Sequence, residues 1–202
     1  MINTIIFDLG AVLIDWNPKY LYRKIFDDES QIDHFLNTIC TPDWNEEQDA
    51  GRSLYNGTEI LVAQLPDSAD NIRAFYGRWD EMLGDEIAGT VKIFRQIKKL
   101  DIYKIYALTN WSAETFPVAL KRFDFLNWFD GIVVSGTEKL RKPAPEFYRI
   151  LLERYDVKAD EALFIDDNLR NVTAAREMGI DTIHFQSPEQ LQEELLKRNI
   201  PV

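Results

Sequence analysis

The chain has one cysteine and two histidines among its 202 residues. Cys40 alone cannot form an internal disulfide, and the chain opens on a short strand-like run without the basic segment, long apolar stretch and cleavage site of a signal peptide. We therefore expect a cytoplasmic protein. His34 and His184 stand alone in sequence, and we expect them at surface or core positions rather than in catalysis.

Basic residues are also scarce: the 23 Lys and Arg are outnumbered by 34 Asp and Glu, which gives a formal charge of −11. This charge disfavours binding to nucleic acid and to anionic membranes, both of which attract proteins through Lys and Arg. With 46% hydrophobic and 28% charged residues, the composition is that of an ordinary globular protein. We expect a small-molecule partner and a monomer or weak homodimer.

Short apolar runs predict five β-strands, near residues 3–8, 103–108, 131–134, 162–166 and 181–185. Helical patterns follow at residues 86–99, 115–123, 144–155, 169–178 and 188–198. Continuously apolar strands that alternate with helices are typical of a parallel sheet buried on both faces. The prediction is an α/β protein with a doubly wound, Rossmann-like parallel sheet.

The connection between the first two predicted strands is much longer than one crossover helix requires. We interpret residues 16–85 as a small helical subdomain inserted into a core formed by residues 1–15 and 86–202. The joints around Pro18 and Gly84 would let this subdomain move as a lid, although a rigid bundle is an equally physical interpretation. Phe75 and Trp79 follow helical spacing there and are predicted core residues.

Polar residues follow four of the five predicted strands, at the edge of a parallel sheet where ligands bind. They are Asp8 after the first strand, Thr109 and Asn110 after the second, Lys142 in the loop after the third, and Asp166 and Asp167 after the fourth. Each residue alone fits an ordinary helix cap or loop position. The regular placement of all of them at strand ends favours a functional site.

Three clustered carboxylates repel one another unless a cation neutralises them, and an all-oxygen ligand set suits Mg²⁺ better than Zn²⁺. Lys142 and Thr109 are candidates to hold the oxygens of a phosphate group. Asp8 is the natural nucleophile, because an aspartate can accept a phosphoryl group as an acyl phosphate. The sequence therefore predicts phosphoryl transfer.

Four segments of the chain resemble, in order, the motifs of the haloacid dehalogenase-like superfamily. They are FDLG at residues 7–10, LTN at 108–110, RKP at 141–143, and FIDDN at 164–168 with Asn171. The resemblance implies a sheet ordered fifth, fourth, first, second, third and a small helical cap. It also implies Asp8 as nucleophile, Thr109, Asn110 and Lys142 in phosphate binding, and Mg²⁺ held by Asp8, the backbone carbonyl of Gly10 and Asp167, with Asp166 and Asn171 in support.

Gly10 departs from the family pattern, since most phosphatases of the superfamily carry an acid/base aspartate at this position. Such help is typically worth about 10²- to 10⁴-fold in rate. Bacterial sugar-1-phosphate phosphatases resemble the first motif most closely, with the phosphatase domain of soluble epoxide hydrolases as a second similar group. Asp15 is a candidate replacement acid, although it also fits a turn residue before Pro18.

Within the predicted cap, Trp44, Asp49 and Arg52 surround Gly51 in a stretch that resembles the family's cap loop over the active site. Arg52 is a candidate to bind a substrate hydroxyl or a second phosphate. We expect a magnesium-dependent phosphatase of small metabolites, with sugar phosphates favoured. The alternatives are a metal-independent 2-haloacid dehalogenase, and a phosphate-binding regulatory protein that has lost turnover through Gly10.

Overall fold

The computed structural model describes residues 1–202 and contains a five-stranded parallel sheet and a two-stranded antiparallel ribbon. The strands are β1 (Thr4–Phe7), β2 (Ile14–Trp16), β3 (Leu83–Glu86), β4 (Lys104–Thr109), β5 (Gly131–Val134), β6 (Ala162–Asp166) and β7 (Asp181–His184). The sheet has the order β5-β4-β1-β6-β7, and β2 pairs with β3 in the ribbon. The five predicted strands and their order are confirmed.

Eleven α-helices connect or cover these strands. They are α1 (Lys19–Tyr22), α2 (Glu29–Thr38), α3 (Pro42–Asp49), α4 (Leu54–Gln64), α5 (Ala69–Gly77), α6 (Ala88–Leu100), α7 (Phe116–Arg122), α8 (Ser135–Glu138), α9 (Pro145–Arg154), α10 (Leu169–Glu177) and α11 (Pro188–Lys197). Short 3₁₀ segments span Pro66–Ser68, Trp79–Met82, Asp124–Trp128 and Ala159–Glu161. None of the helices combines the length and apolar character that a membrane crossing requires.

The sheet is buried on both faces because successive residues of each strand point in opposite directions. On β1, Ile5 and Phe7 belong to one apolar cluster and Ile6 belongs to another. Phe94 of α6 packs in the first cluster, and Phe147 of α9 packs in the second. β1 lies at the centre of the sheet, so the residue that follows it is held by paired strands on either side.

The inserted helices, α1 to α5, follow β2 and precede β3 along the chain. The predicted boundaries at residues 16 and 85 fall inside β2 and β3, where Trp16 pairs with Leu83. The apolar cluster on the Phe7 side of the sheet continues into the insertion, where it includes Phe35 and Phe75. The inserted helices therefore pack on the core through a shared apolar interior.

Candidate active site

The predicted strand-end carboxylates lie together at the carboxyl edge of the sheet. Asp8 directly follows β1, Asp166 ends β6, and Asp167 comes next in the chain. One oxygen of each of these three carboxylates lies within 4.8 Å of the others. Asp8 and Asp166 are buried, whereas Asp167 is exposed to the space above the sheet edge.

Lys142 provides the positive charge of this cluster. Its ammonium group is fully buried, with Nζ 2.9 Å from Asp8 Oδ1 and 2.6 Å from Asp166 Oδ2. Asn110 holds the backbone of Lys142: its Oδ1 accepts from the Lys142 N–H at 2.8 Å, and its Nδ2 donates to the Lys142 carbonyl at 3.0 Å. This amide therefore positions Lys142; Asn110 also lines the cavity described below, and its predicted contact with substrate stays a prediction.

Asp166 is fixed from a second side by the start of α10. Asn171 Nδ2 lies 3.1 Å from each Asp166 oxygen, and the Asn168 N–H donates to Asp166 Oδ1 at 2.8 Å. The other polar atom of Asn171, Oδ1, is buried and has no hydrogen-bond partner. His184 lies beside this region, with Nε2 2.8 Å from the Asp167 carbonyl oxygen.

The cluster carries more negative than positive charge, since three carboxylates face one ammonium group. The pKa of Asp8 is raised to about 7, chiefly by burial and also by Asp166 and Asp167, while Lys142 opposes the rise. Burial and then Asp166 also raise the pKa of Asp167. Burial alone would lower the pKa of Lys142, but Asp166 and Asp8 leave it above its ordinary value. Together with the unpaired Asn171 Oδ1, this oxygen-only set fits a hard divalent cation.

Thr109 offers a hydrogen bond that no protein group uses. Its side chain is fully buried at the end of β4, and its hydroxyl oxygen has no partner. Leaving a buried polar group unpaired is costly, so such groups in folded proteins call for an explanation. A phosphate oxygen seated at the strand ends would supply the missing acceptor.

A cavity of about 350 Å³ lies between the sheet edge and the inserted helices. Asp8, Gly10 and Asp167 line it at the sheet edge, and Glu46, Asp49 and Arg170 contribute further charged side chains. Its lining also includes five aromatic side chains: Trp16, Phe75, Tyr76, Trp79 and Trp111. Phe75 and Trp79 are buried as predicted, but helical spacing did not indicate that they also line a cavity.

Five predicted site residues are not part of this lining. Thr109, Lys142 and Asp166 are fully buried at the sheet edge, whereas Arg52 and Asp15 bond to other groups of the insertion. Arg52 donates from Nε to Gln48 Oε1 at 2.5 Å and from Nη2 to the Trp44 carbonyl at 3.2 Å, so its guanidinium is held by α3. Asp15 accepts a 2.5 Å hydrogen bond from the Tyr20 hydroxyl. Both side chains are thus engaged with other protein groups, and the predicted substrate contact of Arg52 and catalytic role of Asp15 stay predictions.

Two acidic residues of α3, Glu46 and Asp49, have contacts that were not predicted, although Asp49 lies in the stretch that resembles the family's cap loop. Glu46 forms ion pairs with Arg141 and, at 2.6 Å, with Arg170, so it links α3 to the loop before Lys142 and to the start of α10. Asp49 lines the cavity, and burial raises the pKa of its carboxyl group to about 7.

A buried aspartate paired with a lysine, beside further carboxylates at the carboxyl edge of a Rossmann-like sheet, defines a class of hydrolases. The model of the haloacid dehalogenase-like hydrolase family matches residues 2–179. The chain therefore belongs to the haloacid dehalogenase-like hydrolases, and the family expected from its four motifs is confirmed.

Three similar proteins illustrate this membership. The sesquiterpene phosphatase astK of Aspergillus oryzae is 29% identical over 180 residues, which cover 89% of this chain and 88% of that protein. The pyrophosphatase PpaX of Bacillus cereus strain Q1 is 27% identical over 188 residues, covering 90% and 82%. The solved structure of the HAD family enzyme bt-2542 from Bacteroides thetaiotaomicron, in complex with magnesium and inorganic phosphate, has a TM-score of 0.66 at 20% identity and covers 93% and 96%.

Proposed function

We propose that this hydrolase is a magnesium-dependent phosphatase that cleaves small phosphate monoesters through a phosphoryl group carried on Asp8. The observation that carries the proposal is the cluster of Asp8, Asp166 and Asp167 within 4.8 Å, with Lys142 paired to two of its members. The bt-2542 complex with magnesium and phosphate supports the choice of metal and ligand.

Each residue has a distinct part in this reaction. A carboxylate oxygen of Asp8 attacks phosphorus in line with the departing ester oxygen. The Lys142 ammonium and the Thr109 hydroxyl hold phosphate oxygens, and Asp8, the Gly10 carbonyl and Asp167 would hold Mg²⁺, with Asp166 and Asn171 in support. When bound, such a cation would supply positive charge that offsets the repulsion between carboxylates and phosphate. Asn110 keeps Lys142 in place through its backbone.

Two substrate classes have support. Sugar phosphates are favoured by the resemblance at Gly10. The aromatic wall formed by Trp16, Phe75, Trp79 and Trp111 supports a second candidate, the monophosphate of an apolar alcohol, and astK is named a sesquiterpene phosphatase. A diphosphate has less support, because Arg170 is the one cationic side chain in the lining and is paired with Glu46.

The deciding experiment measures phosphate release from sugar 1-phosphates, sugar 6-phosphates, terpenyl monophosphates and pyrophosphate, with Mg²⁺ and with excess chelator. We expect release only with Mg²⁺, and the substrate with the highest kcat/KM identifies the class. Halide release from 2-haloacids in chelator would instead support the dehalogenase alternative. Phosphate binding without turnover of any ester would support the regulatory alternative. We propose a cytoplasmic monomer or weak homodimer, which fractionation and sedimentation test.

A further inference from the structure

Cleavage of an alkyl or sugar phosphate leaves an oxygen that needs a proton, and the residues at the sheet edge do not supply one. Gly10 has no side chain, and a Cβ added there would meet no atom within 4 Å, so no neighbouring group fills the space beside Asp8. Lys142 is held by Asp8 and Asp166. If the protein is a phosphatase as proposed above, the proton donor must come from elsewhere in the cavity lining.

Four carboxyl groups line the cavity: Asp8, Glu46, Asp49 and Asp167. Asp8 and Asp167 belong to the nucleophile and cation cluster. Glu46 forms ion pairs with Arg141 and Arg170, so both of its oxygens are engaged by guanidinium groups. Asp49 is the remaining group, and it forms no ion pair.

Asp49 ends α3 and is held from both sides of the cavity. Asn45 Nδ2 donates to its Oδ2 at 3.1 Å from the preceding turn of the helix. Its backbone carbonyl accepts a 2.6 Å hydrogen bond from the Ser135 hydroxyl at the end of the sheet. The carboxyl group thus lies over the sheet edge at a position that both the inserted helices and the core determine.

The charged and titratable neighbours leave Asp49 able to carry a proton at neutral pH. Burial raises its pKa to about 7, and a hydrogen bond from the Ser112 N–H only partly opposes the rise. Arg52 is turned to Gln48 and the Trp44 carbonyl, and Tyr76 of α5 donates its hydroxyl to Asn45. A carboxyl group with a pKa near the working pH is suited to both giving and taking a proton.

We propose that Asp49 is the general acid and base of the reaction, supplied from the inserted helices in place of a side chain at Gly10. In the first step an Asp8 oxygen bonds to phosphorus while the ester bond breaks, and its electron pair takes the Asp49 proton to release the alcohol. In the second step the Asp49 carboxylate takes a proton from water as the water oxygen bonds to phosphorus. The bond to Asp8 then breaks, which restores the Asp8 carboxylate, the Asp49 carboxyl group and free phosphate.

The test compares Asp49→Asn with the wild-type protein on a matched series of alkyl and nitrophenyl phosphates in Mg²⁺. A nitrophenolate can leave without being protonated, whereas an alkyl alcohol needs a proton on its departing oxygen. We expect kcat/KM for the alkyl esters to fall by about 10²- to 10⁴-fold and that for nitrophenyl phosphate by less than about threefold. Activity on nitrophenyl phosphate also reports that the variant is folded. Asp43→Asn, the same change at an exposed position of α3, is the matched control and should alter neither rate.

Equal losses on both ester classes would assign Asp49 a structural role and overturn the proposal, as would an unchanged alkyl rate. A selective loss in Asp15→Asn instead of Asp49→Asn would assign the proton to Asp15 and also overturn it. If the wild-type protein releases no phosphate from any ester, the proposed function itself fails. An active wild type with an unaffected Asp49→Asn variant refutes only the assignment of Asp49.

Discussion

Replacing Thr109 with valine removes a buried hydroxyl that the folded protein leaves unpaired. Valine has nearly the same shape and suits a strand, so the change isolates the polar group. Because the hydroxyl loses its water on folding without gaining a protein partner, its removal should raise the free energy of unfolding by about 1–2 kcal/mol. A hydrogen bond to a charged phosphate is worth about 1.5–3 kcal/mol, which predicts a loss of about 10- to 150-fold in kcat/KM.

Thr90 provides a matched control, since its hydroxyl is also buried without a partner but lies on α6 rather than at the end of β4. Urea denaturation and phosphate-release kinetics should be measured for Thr109→Val and Thr90→Val side by side. We expect both variants to be as stable as the wild type or more stable, and only Thr109→Val to lose activity. A destabilised Thr109→Val, or one with wild-type kcat/KM, would refute the assignment of this hydroxyl to phosphate binding.

Two further predictions concern the charges of the cluster. Asp167→Ala should raise the Mg²⁺ concentration needed for half-maximal activity more than Asp166→Ala does, because the oxygens of Asp166 are already bonded to Lys142 and Asn171. Equal metal dependence of the two variants in a Mg²⁺ titration would contradict this division of roles. Lys142→Met should lower the free energy of unfolding by about 3–5 kcal/mol at neutral pH in chelator, since it leaves buried carboxylates without a cation. Lys142 lowers the pKa of Asp8, so its loss raises that already elevated pKa. The deficit should therefore grow as pH rises above about 7, where Asp8 ionises in the folded wild type, and a pH-independent deficit in denaturation experiments would refute it.

The sheet could be predicted because each of its strands is a short apolar run of its own. The predicted strands at residues 131–134 and 162–166 match β5 and β6 residue for residue. β2 and β3 escaped prediction, since they are only three and four residues long and include Asp15 and Gly84. Their pairing joins segments separated by the whole insertion, and no local pattern indicates such a contact.

The sheet-edge residues could be predicted for a similar reason, because Asp8, Thr109 and Asp166 are each fixed by the strand that they follow or end. The residues of the insertion depend on how its helices pack. Gly51 adopts a positive φ of 98° and lies close to Lys139. The side chain of Arg52, the next residue, bonds to Gln48 and does not enter the cavity.

Asp49 and the aromatic wall show a different limit of sequence reasoning. Helical periodicity identifies Phe75 and Trp79 as buried, but it cannot distinguish burial in a core from burial beside a cavity. The resemblance to the family's cap loop singles out Asp49 near Gly51, but nothing in the local sequence gives Asp49 a chemical role different from that of Glu46 or Glu47. Only the packing of α3 over the sheet edge gives these carboxyl groups different environments.

Mass spectrometry of protein quenched in acid during turnover with Mg²⁺ and a phosphate ester shows whether Asp8 carries the phosphoryl group. We expect a phosphoryl adduct on the peptide that contains Asp8, and neither adduct nor turnover in Asp8→Asn. That variant should remain folded, because the amide replaces a carboxylate whose charge is disfavoured in the buried site. An adduct on another residue, or turnover retained in Asp8→Asn, would contradict the account.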